Sequence, residues 1–451
     1  MLCPDNMSDK VVGVLGLGRS GMAAAASLGA GGAQLYLHDD TAQDHESIPA
    51  GATVCDWQEW PWATMDMMVI SPGIPHHHPA PHPAAAMART HGVAIISEIE
   101  IAIQAKPAAQ IVAITGTNGK STTTALIGHC LAQAGRAVAV GGNIGDAACG
   151  LADPGPQGVI VLELSSYQLE TTPSLMVDCA VVLNITPDHL DRHNGMAGYV
   201  AAKGRIIDAI RPDGLAVLGT SDSYVTAFGA KAKQRGINHI MAAPTMAPAA
   251  HRDCPALAGA HNAENAAIAG QVLAFLGLDE AQIAAGMQSF DGLPHRMQQV
   301  AAISDIVFVN DSKATNGVAA AKSLAAFDNI YWIAGGMAKE DGLGAAGDAL
   351  QAVSAAYLIG ASGPDFAAAL EARDDLAFPV TVCGDMDRAT NAAFDDAAAA
   401  GGSATILLAP AAASFDQFDS FVDRGNAFAA IARAIAAPRP APSADRGGLH
   451  A

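Results

Sequence analysis

The sequence lacks the features that mark membrane, secreted and nucleic-acid-binding proteins. It has no apolar run of the ~18 residues that a membrane span needs, and its first residues, MLCPDNMSDK, contain no basic region followed by a hydrophobic one. We therefore expect a cytoplasmic protein with no membrane partner. The formal net charge of −20 argues against nucleic acid, which is bound through Lys and Arg side chains. An anionic ligand would need backbone N–H groups and a few placed cations.

Paired cysteines and charged residues are also scarce. The seven cysteines are an odd number without a Cys-x-x-Cys pair, so we expect reduced, mostly buried thiols. Charged residues make up 15% of the chain against a usual ~25%, while the hydrophobic fraction reaches 51%, which is typical of a compact alanine-rich α/β protein. At ~150 residues per domain, the length predicts three domains. We place them at residues 1–107, 108–300 and 301–451.

The first segment carries a dinucleotide-fold pattern. An apolar strand, VVGVL, is followed by the glycine turn GLGRSG at residues 16–21, a helix, a second strand, and the acidic pair Asp39 and Asp40. Such glycines let the backbone approach a pyrophosphate, and the acid reads a ribose hydroxyl. The pattern predicts a Rossmann-like domain that binds a nucleotide, without specifying nicotinamide.

A proline-rich turn in the same segment holds three consecutive histidines, His76 to His78. They could form a metal cluster or lie in a solvated loop. We favour the solvated loop because consecutive loop histidines rarely converge on one ion. A stretch around Lys106 and Pro107 then marks the first domain boundary.

The middle segment opens on a phosphate-binding loop of unusual length. The strand IVAIT leads into GTNGKS and a helix, but Ile114 stands where the usual P-loop has its first glycine. Gly116 and Gly119 would let the backbone approach an anion at the helix N-terminus. Lys120 would supply a charge for the terminal phosphates, and Ser121 a hydroxyl for Mg²⁺. The alternative is an ordinary strand-to-helix turn with a surface lysine.

Polar side chains follow the next strands of the middle segment. Glu163 ends the strand GVIVLE, where either Mg²⁺ coordination or a salt bridge inside the sheet would explain a carboxylate. The run DHLDRH, residues 188–193, follows the strand CAVVLNI at the edge where α/β ligands bind. It could serve a second divalent ion, or Asp188 could cap a helix. By periodicity alone, Lys203 is a solvated residue on the helix that follows.

The third segment alternates strands, NIYWIAGG, AYLIG and ATILLAP, with alanine-rich helices, again a βα pattern. Residues 438–451 are rich in Pro and Gly, and we expect a disordered tail there. The predicted fold class is α/β, with a Rossmann-like N-terminal domain, a P-loop-type central ATPase domain and a Rossmann-like C-terminal domain.

Eight motifs together resemble one family over essentially the whole chain except its two ends. They are GTNGKSTT, GGNIG, LELSSYQLE, NITPDHLDRH, HNAEN, LPHR, NDSKATN and LAPAAASFDQF, in the order found in the Mur ligases of peptidoglycan synthesis. The last two resemble the D-glutamate-adding branch. The resemblance implies a monomeric ligase that joins D-glutamate to UDP-N-acetylmuramoyl-L-alanine through an acyl phosphate. It also implies ATP and two Mg²⁺ ions, with Mn²⁺ as a substitute.

The resemblance assigns roles to individual residues. Those implied in catalysis are Lys120, Glu163, His189 and a carbamylated Lys203, and the last three would hold metal together with Ser121. Those implied in ATP binding are Gly116, Thr117, Asn118, Gly119, Lys120, Ser121, Thr122, Asn265, Arg296 and Asp311. Those implied in binding the UDP-linked substrate are Gly18, Asp39, Gly73, Asn143, Ser165 and Gln168. Those implied in binding D-glutamate are Lys313, Thr315, Lys339, Ser414 and Phe421.

One departure from the family pattern affects the last motif. Ala409 and Ala412 stand where an SPAxAS-type motif would have serine and cysteine, so those side chains cannot contribute, whereas Ser414 remains. A sister ligase or a folylpolyglutamate synthetase would share the ATP site but not KATN and ASFDQF. The first domain alone suggests an NAD-dependent dehydrogenase, although hydride transfer needs no ATP lysine. A nucleotide-binding regulator would also fit the folds.

Overall fold

The computed structural model describes residues 1–5, 7–41, 48–220, 222–257, 259–338 and 342–437. The chain divides into two compact units, Met1–Phe290 and Asp291–Ala451. Lys339 and the expected tail at 438–451 lie outside the described residues. Within the described ranges, no helix is both long and apolar enough to cross a membrane.

The first unit begins with a five-stranded parallel sheet in the order β3-β2-β1-β4-β5. Its strands are β1 (Val11–Leu15), β2 (Gln34–His38), β3 (Thr53–Val54), β4 (Met67–Ile70) and β5 (Ala94–Ile96). Its helices are α1 (Arg19–Ala30), α2 (Pro83–Thr90) and α3 (Glu98–Gln104). The chain order reverses at β1, so the glycine turn that follows this strand lies at the switch point where ligands of such sheets bind. The Rossmann-like prediction is confirmed.

A second parallel sheet follows in the same unit, in the order β11-β10-β9-β6-β8-β7. Its strands are β6 (Gln110–Thr115), β7 (Val138–Gly142), β8 (Val159–Glu163), β9 (Val177–Val182), β10 (Ile210–Gly219) and β11 (Asn238–Ala242). Its helices are α4 (Lys120–Gln133), α5 (Ser166–Glu170), α6 (Met196–Asp208), α7 (Ser223–Gln234), α8 (Ala260–Phe275) and α9 (Glu280–Gln288). Because β6 lies between β8 and β9, the loops after these three strands meet at one edge.

One hydrophobic core joins the two sheets of the first unit. It contains Val14 and Leu28 from the N-terminal sheet and its helix, together with Ile111 and Leu162 from the second sheet. Burial of apolar surface is the main force that holds such layers together, so the shared core explains why both sheets form one unit. All seven cysteines are free and four of them are buried, as the sequence predicted.

The second unit contains a six-stranded sheet in the order β12-β13-β17-β14-β15-β16, in which only the β12–β13 pair is antiparallel. Its strands are β12 (Gln298–Ile303), β13 (Ile306–Asn310), β14 (Ile330–Gly335), β15 (Val353–Ile359), β16 (Val380–Gly384) and β17 (Ala404–Leu408). Its helices are α10 (Gly317–Leu324), α11 (Gly363–Glu371), α12 (Met386–Ala400) and α13 (Phe421–Ala436). The three predicted strands are confirmed as β14, β15 and β17. β12 crosses the expected boundary at residue 300.

Candidate active site

The glycine loop after β6 is wrapped around two lysine side chains. The Lys120 Nζ donates to the carbonyl oxygens of Gly116 at 2.9 Å and Thr117 at 2.7 Å. The Lys203 Nζ donates to the same Gly116 carbonyl at 2.8 Å and to Thr115 Oγ1 at 3.3 Å. Two amines therefore meet at one carbonyl of the loop, where positive charge would serve a phosphate ligand.

Lys203 corrects the interpretation that periodicity alone supports. Its side chain is buried, at 2% exposure, so the solvated assignment is wrong. Its neighbours on α6, Ala202 and Gly204, are buried as well, and Gly204 packs against the ring of Phe228 on α7. Burial first, and then the charge of Lys120, lower the pKa of the Lys203 amine to about 7. A substantial fraction of the amine is then neutral near pH 7, as carbamylation requires.

The loop backbone is positioned by contacts outside its own segment. The Thr117 N–H donates to the Asn184 carbonyl at 2.8 Å, and the Asn118 N–H donates to Asn184 Oδ1 at 2.9 Å. Gly119 has a φ of +85°, and a Cβ there would lie 2.5 Å from Asn265 Oδ1. The glycine is thus required by both conformation and space. Its close approach places Asn265 beside the phosphate-binding loop.

The remaining members of the predicted phosphate set lie in the same loop and helix. Thr117 Oγ1 is 2.9 Å from the hydroxyl of Tyr199, which belongs to α6. Ser121 and Thr122 are half-buried in the first turn of α4, which begins at Lys120. The N–H groups of a first helical turn have no acceptor within the helix and attract anions.

Glu163 has the environment expected of a metal ligand. It is the last residue of β8 and is 2% exposed. Its Oε1 accepts a hydrogen bond from Asn143 Nδ2 at 2.9 Å, while its Oε2 is buried and has no hydrogen-bond partner in the part of the chain that the structure describes. A buried carboxylate oxygen left in this state is costly unless a cation compensates it. Carboxylates are preferred Mg²⁺ ligands, so the residues present fit this ion.

His189 lies after β9, in a left-handed conformation with a φ of +50°. Its Nε2 is 3.5 Å from Asp188 Oδ2, and its side chain is 54% exposed. The capping alternative for Asp188 is wrong, because the short helix Leu190–His193 and helix α6 both begin without a side-chain cap. His193 is buried and its Nε2 lies 2.8 Å from Ser166 Oγ, which gives it a packing role.

Arg192 was not singled out from the sequence. Its guanidinium donates to the carbonyl oxygens of Gly73 at 2.9 Å and Ile74 at 3.1 Å, and it stacks 4.3 Å from the centre of the Tyr167 ring. It therefore ties the loop after β4, in the N-terminal sheet, to the turn that carries His189. In the sequence, only the motif HLDRH includes Arg192, and this motif did not indicate the contact with the loop after β4.

The remaining residues of the first unit that are predicted to bind the UDP-linked substrate lie in the glycine turn after β1 and at the start of α5. Asp39 Oδ2 accepts from the Leu17 N–H at 2.6 Å, within the glycine turn that contains Gly18. Ser165 and Gln168 form a reciprocal capping box at the start of α5. The Gln168 side chain is buried and also donates to Glu98 Oε1 at 3.3 Å. Its amide is thus engaged by protein groups, and Ser165 is the more accessible of the pair.

In the second unit, two of the residues predicted to bind D-glutamate are in contact. The Lys313 Nζ lies 4.0 Å from the centre of the Phe421 ring, and Thr315 follows in the same loop. Ser414 is buried, and its hydroxyl has no hydrogen-bond partner among the described residues. Asp311 is buried and accepts from the Met297 N–H at 3.3 Å; burial raises its pKa.

Arg424 is a further residue that sequence reasoning missed. It is fully buried and donates to the Ser312 carbonyl at 2.9 Å and to the Ala412 carbonyl at 3.0 Å. It thereby links the loop of Lys313 to the loop of Ser414. Ala412 and Ala409 are both completely buried, so small apolar side chains fill these places. Arg296, by contrast, lies in the turn before β12, where Leu293 and Arg296 form an isolated bridge.

The consecutive histidines differ from one another. His77 and His78 are exposed, but His76 is only 8% exposed, so the solvated-loop interpretation is wrong for this residue. The His76 Nε2 lies 3.6 Å from Glu170 Oε2 on α5. Among the described residues, no group of three or more His, Cys, Asp or Glu side chains is arranged to hold a metal.

Comparison with known proteins gives the family. The model of the Mur ligase middle domain matches residues 114–254, and that of the Mur ligase glutamate ligase domain matches residues 295–412. UDP-N-acetylmuramoylalanine–D-glutamate ligase of Caulobacter sp. strain K31 is 41% identical, with 95% of this chain and 97% of the relative covered. The chain belongs to the Mur ligase family. The enzyme of the same name from Nitrobacter winogradskyi is 38% identical over 98% of this chain and all of the relative.

Solved structures agree on the fold of this Mur ligase. A UDP-N-acetylmuramate-alanine ligase from Thermotoga maritima has a TM-score of 0.58 at 17% identity, covering 94% of this chain and 99% of that one. The three-domain α/β prediction is therefore confirmed. Members of the family are ATP-dependent ligases that form carbon–nitrogen bonds in peptidoglycan precursor synthesis, and this chain is such an enzyme.

Proposed function

We propose that this Mur ligase joins D-glutamate to UDP-N-acetylmuramoyl-L-alanine, with ATP as the second substrate and Mg²⁺ as the metal. The observation that carries the proposal is the pair of lysine amines at the Gly116 carbonyl, next to a strand that ends in the carboxylate of Glu163. The relatives at about 40% identity, which carry the name of this activity, support the choice of substrates. We also propose that the enzyme works in the cytoplasm as a monomer.

The chemistry has two steps in this proposal. A carboxylate oxygen of the muramoyl substrate forms a bond to the γ-phosphorus of ATP, and the bond to ADP breaks with its electron pair on ADP. The amine of D-glutamate then attacks the acyl carbon, loses a proton, and releases phosphate with the electron pair of the C–O bond. Lys120 and the N–H groups of the loop hold the phosphate charge, which is where such transfers gain most of their rate.

Bound Mg²⁺ would neutralise part of the negative charge on the phosphates. Ser121, Glu163, His189 and a carbamylated Lys203 would hold it, as two ions, with Mn²⁺ as a substitute. The unpartnered Oε2 of Glu163 supports this set. The lowered pKa of Lys203 supports the carbamate, since CO₂ reacts with the neutral amine.

The three predicted domains take separate roles in the proposal. Residues 1–107 bind the uridine diphosphate through Gly18, Asp39 and Gly73, and residues 108–300 bind ATP, with Asn143, Ser165 and Gln168 toward the muramoyl group. Residues 301–451 bind D-glutamate through Lys313, Thr315, Ser414 and Phe421, and Lys339 is included on resemblance alone. Asn265 completes the ATP site of the first unit in this proposal, and Arg296 and Asp311 are assigned to ATP binding on resemblance alone. The unpartnered Ser414 hydroxyl supports a polar ligand there.

The deciding experiment measures phosphate release as each substrate is withheld. We expect release only when ATP, the muramoyl substrate and D-glutamate are all present. L-lysine, meso-diaminopimelate and L-alanine should fail as replacements, because donors built for a side-chain carboxylate would be left unpaired. Equal turnover with any of these amino acids would reject the substrate assignment.

A matched pair of variants tests the D-glutamate pocket. Ser414→Ala should raise KM for D-glutamate about tenfold, the effect of about one lost hydrogen bond, with much less change in KM for ATP. Ser354→Ala is the control, because its hydroxyl bonds to Asn329 Oδ1 at the start of β15. An unchanged D-glutamate dependence in Ser414→Ala would contradict the pocket.

A further inference from the structure

A cavity of about 210 Å³ in the first unit lies apart from the glycine loops. His76 and His77 line it from the turn after β4, and Arg89 lines it from α2. Glu170, the last residue of α5, and Arg205, on α6, line it as well. Two helices, α2 and α6, thus each contribute one arginine to the same cavity.

Neither arginine forms an ion pair with an acid in the part of the chain that the structure describes, although the charge of Arg205 acts on Glu170 at longer range. The Arg89 Nη2 donates to the His76 carbonyl, and the Arg205 Nη1 donates to the Glu170 carbonyl at 2.9 Å. In the described ranges, no carboxylate oxygen lies within 4.0 Å of either guanidinium. A guanidinium has five N–H donors in a fixed fork, so each keeps donors for a ligand.

Glu170, the carboxylate among the residues that line this cavity, faces two histidines. Glu170 Oε1 lies 3.3 Å from His193 Nδ1, and Glu170 Oε2 lies 3.6 Å from His76 Nε2. Burial first lowers the pKa of His76 to about 4, and burial followed by the charge of Arg89 lowers that of His77. At neutral pH the imidazole of His76 is therefore uncharged, and its one N–H is directed at Glu170 Oε2.

We propose that this cavity binds a phosphate-type dianion. Two guanidiniums that line one cavity match a tetrahedral oxyanion, because a guanidinium can donate two parallel hydrogen bonds to it. The volume is about seven times the ~30 Å³ of a liquid water, and it is below the ~300 Å³ of the smallest drug-sized pockets. A small ion with a few waters fits. The ligand is either free phosphate or a phosphate group carried on a small molecule.

Calorimetry with inorganic phosphate tests the site in the full-length chain. The nucleotide loop also attracts phosphate, so the titrations use the Lys120→Ala background to weaken that site. We expect saturable binding there that Arg205→Gln and Arg89→Gln each weaken about tenfold or more, as expected for lost charged hydrogen bonds. Arg235→Gln is the matched control, since its guanidinium also donates to a backbone carbonyl, that of Ile207, but outside this cavity. It should leave binding unchanged.

Further titrations separate the outcomes. Loss of all binding in Lys120→Ala alone would overturn the proposal, and so would binding in both cavity variants that is unchanged from the Lys120→Ala background. If Arg205→Gln does not fold, phosphate binding by Arg89→Gln and by the charge-retaining Arg205→Lys still tests the proposal. Glycerol phosphate that binds as tightly as the free ion identifies a carried phosphate group as the ligand, and binding of inorganic phosphate alone identifies the free ion. The test does not depend on the proposed ligation, because it measures binding without turnover.

Discussion

Two glycine turns of the first unit share a backbone design but carry opposite charges. After β1, the Leu17 N–H donates to the carboxylate of Asp39 at 2.6 Å. After β6, the Gly116 carbonyl accepts from the amines of Lys120 and Lys203 at 2.9 and 2.8 Å. Each turn follows a central strand of a parallel sheet and opens into a helix. The side chains that reach the turn therefore distinguish the two sites.

The difference indicates what each turn can hold. A carboxylate beside a glycine turn accepts hydrogen bonds from sugar hydroxyls, while the glycines let a pyrophosphate approach the backbone. Two amines beside a turn favour the triphosphate end of a nucleotide. The proposed division, with uridine diphosphate at the first turn and ATP at the second, follows from this contrast. Changing one charge at a time tests it.

The largest effect is expected for Lys120→Ala. Removal of one preorganised cation from a transferring phosphoryl group should lower kcat by about 10³-fold, or about 4 kcal/mol. The fold should be retained, because the side chain donates to carbonyl oxygens of its own loop and the strand and helix on either side do not need it. Phosphate release and a thermal melt measure the two quantities. Lys231→Ala, which removes a surface pair with Asp208, is the control and should keep normal turnover.

Lys203→Ala should be nearly as damaging, but it should be partly recovered by a short carboxylic acid. Such an acid can restore the charge and shape of a carbamate in the space that the deletion leaves. Chloride at equal ionic strength is the control and should restore nothing. Full activity of the alanine variant without additive would contradict the assignment.

The same residue predicts a pH dependence. Its folded pKa of about 7 lies below its ordinary value of 10.5, so between these values the unfolded chain binds a proton that the folded chain lacks. For the unmodified enzyme, the contribution of Lys203 to stability therefore improves as pH rises through this window and is poorest below it. Activity should also fall below about pH 7, because protonation of the Lys203 amine blocks carbamylation. It should fall at low bicarbonate as well, because less CO₂ is then available to form the carbamate. A Lys203→Met variant should lose the stability slope in denaturant titrations across this range.

Sequence reasoning succeeded at the turns and failed at the residues that reach them from a distance. The glycine and lysine spacing of the β6 turn is local, and so its conformation could be predicted from a few letters. Lys203 contacts Gly116 across 87 residues, and Arg192 contacts Gly73 across 119. Helical periodicity carries no information about a carbonyl brought in by another strand. Only the family resemblance pointed to Lys203, and nothing indicated the role of Arg192.

A smaller effect is expected at the acidic turn. Asp39→Asn keeps the shape of the side chain and removes the charge, so KM for the UDP-linked substrate should rise about ten- to a hundredfold, the range for a hydrogen bond to a charged group. KM for ATP should stay unchanged. Steady-state kinetics with each substrate varied in turn separates the two. An equal rise in both constants would mean that the two turns do not serve different ligands.

The smallest effect is expected when one glycine of each turn is replaced by alanine, because the space around the two glycines differs. Gly119 has a φ of +85°, and a Cβ there would meet Asn265 Oδ1 at 2.5 Å, whereas a Cβ on Gly18 would meet no atom of the described residues within 4 Å. Gly119→Ala should therefore lower the free energy of unfolding by about 1 to 2 kcal/mol, the cost of a left-handed residue with a Cβ. Gly18→Ala should change it by less than about 0.5 kcal/mol. If Gly18→Ala nevertheless weakens binding of the UDP-linked substrate, the loss reports a ligand that approaches the backbone at that position. Denaturant titration gives the stabilities, and equal losses in the two variants would show that the space around these turns does not distinguish them.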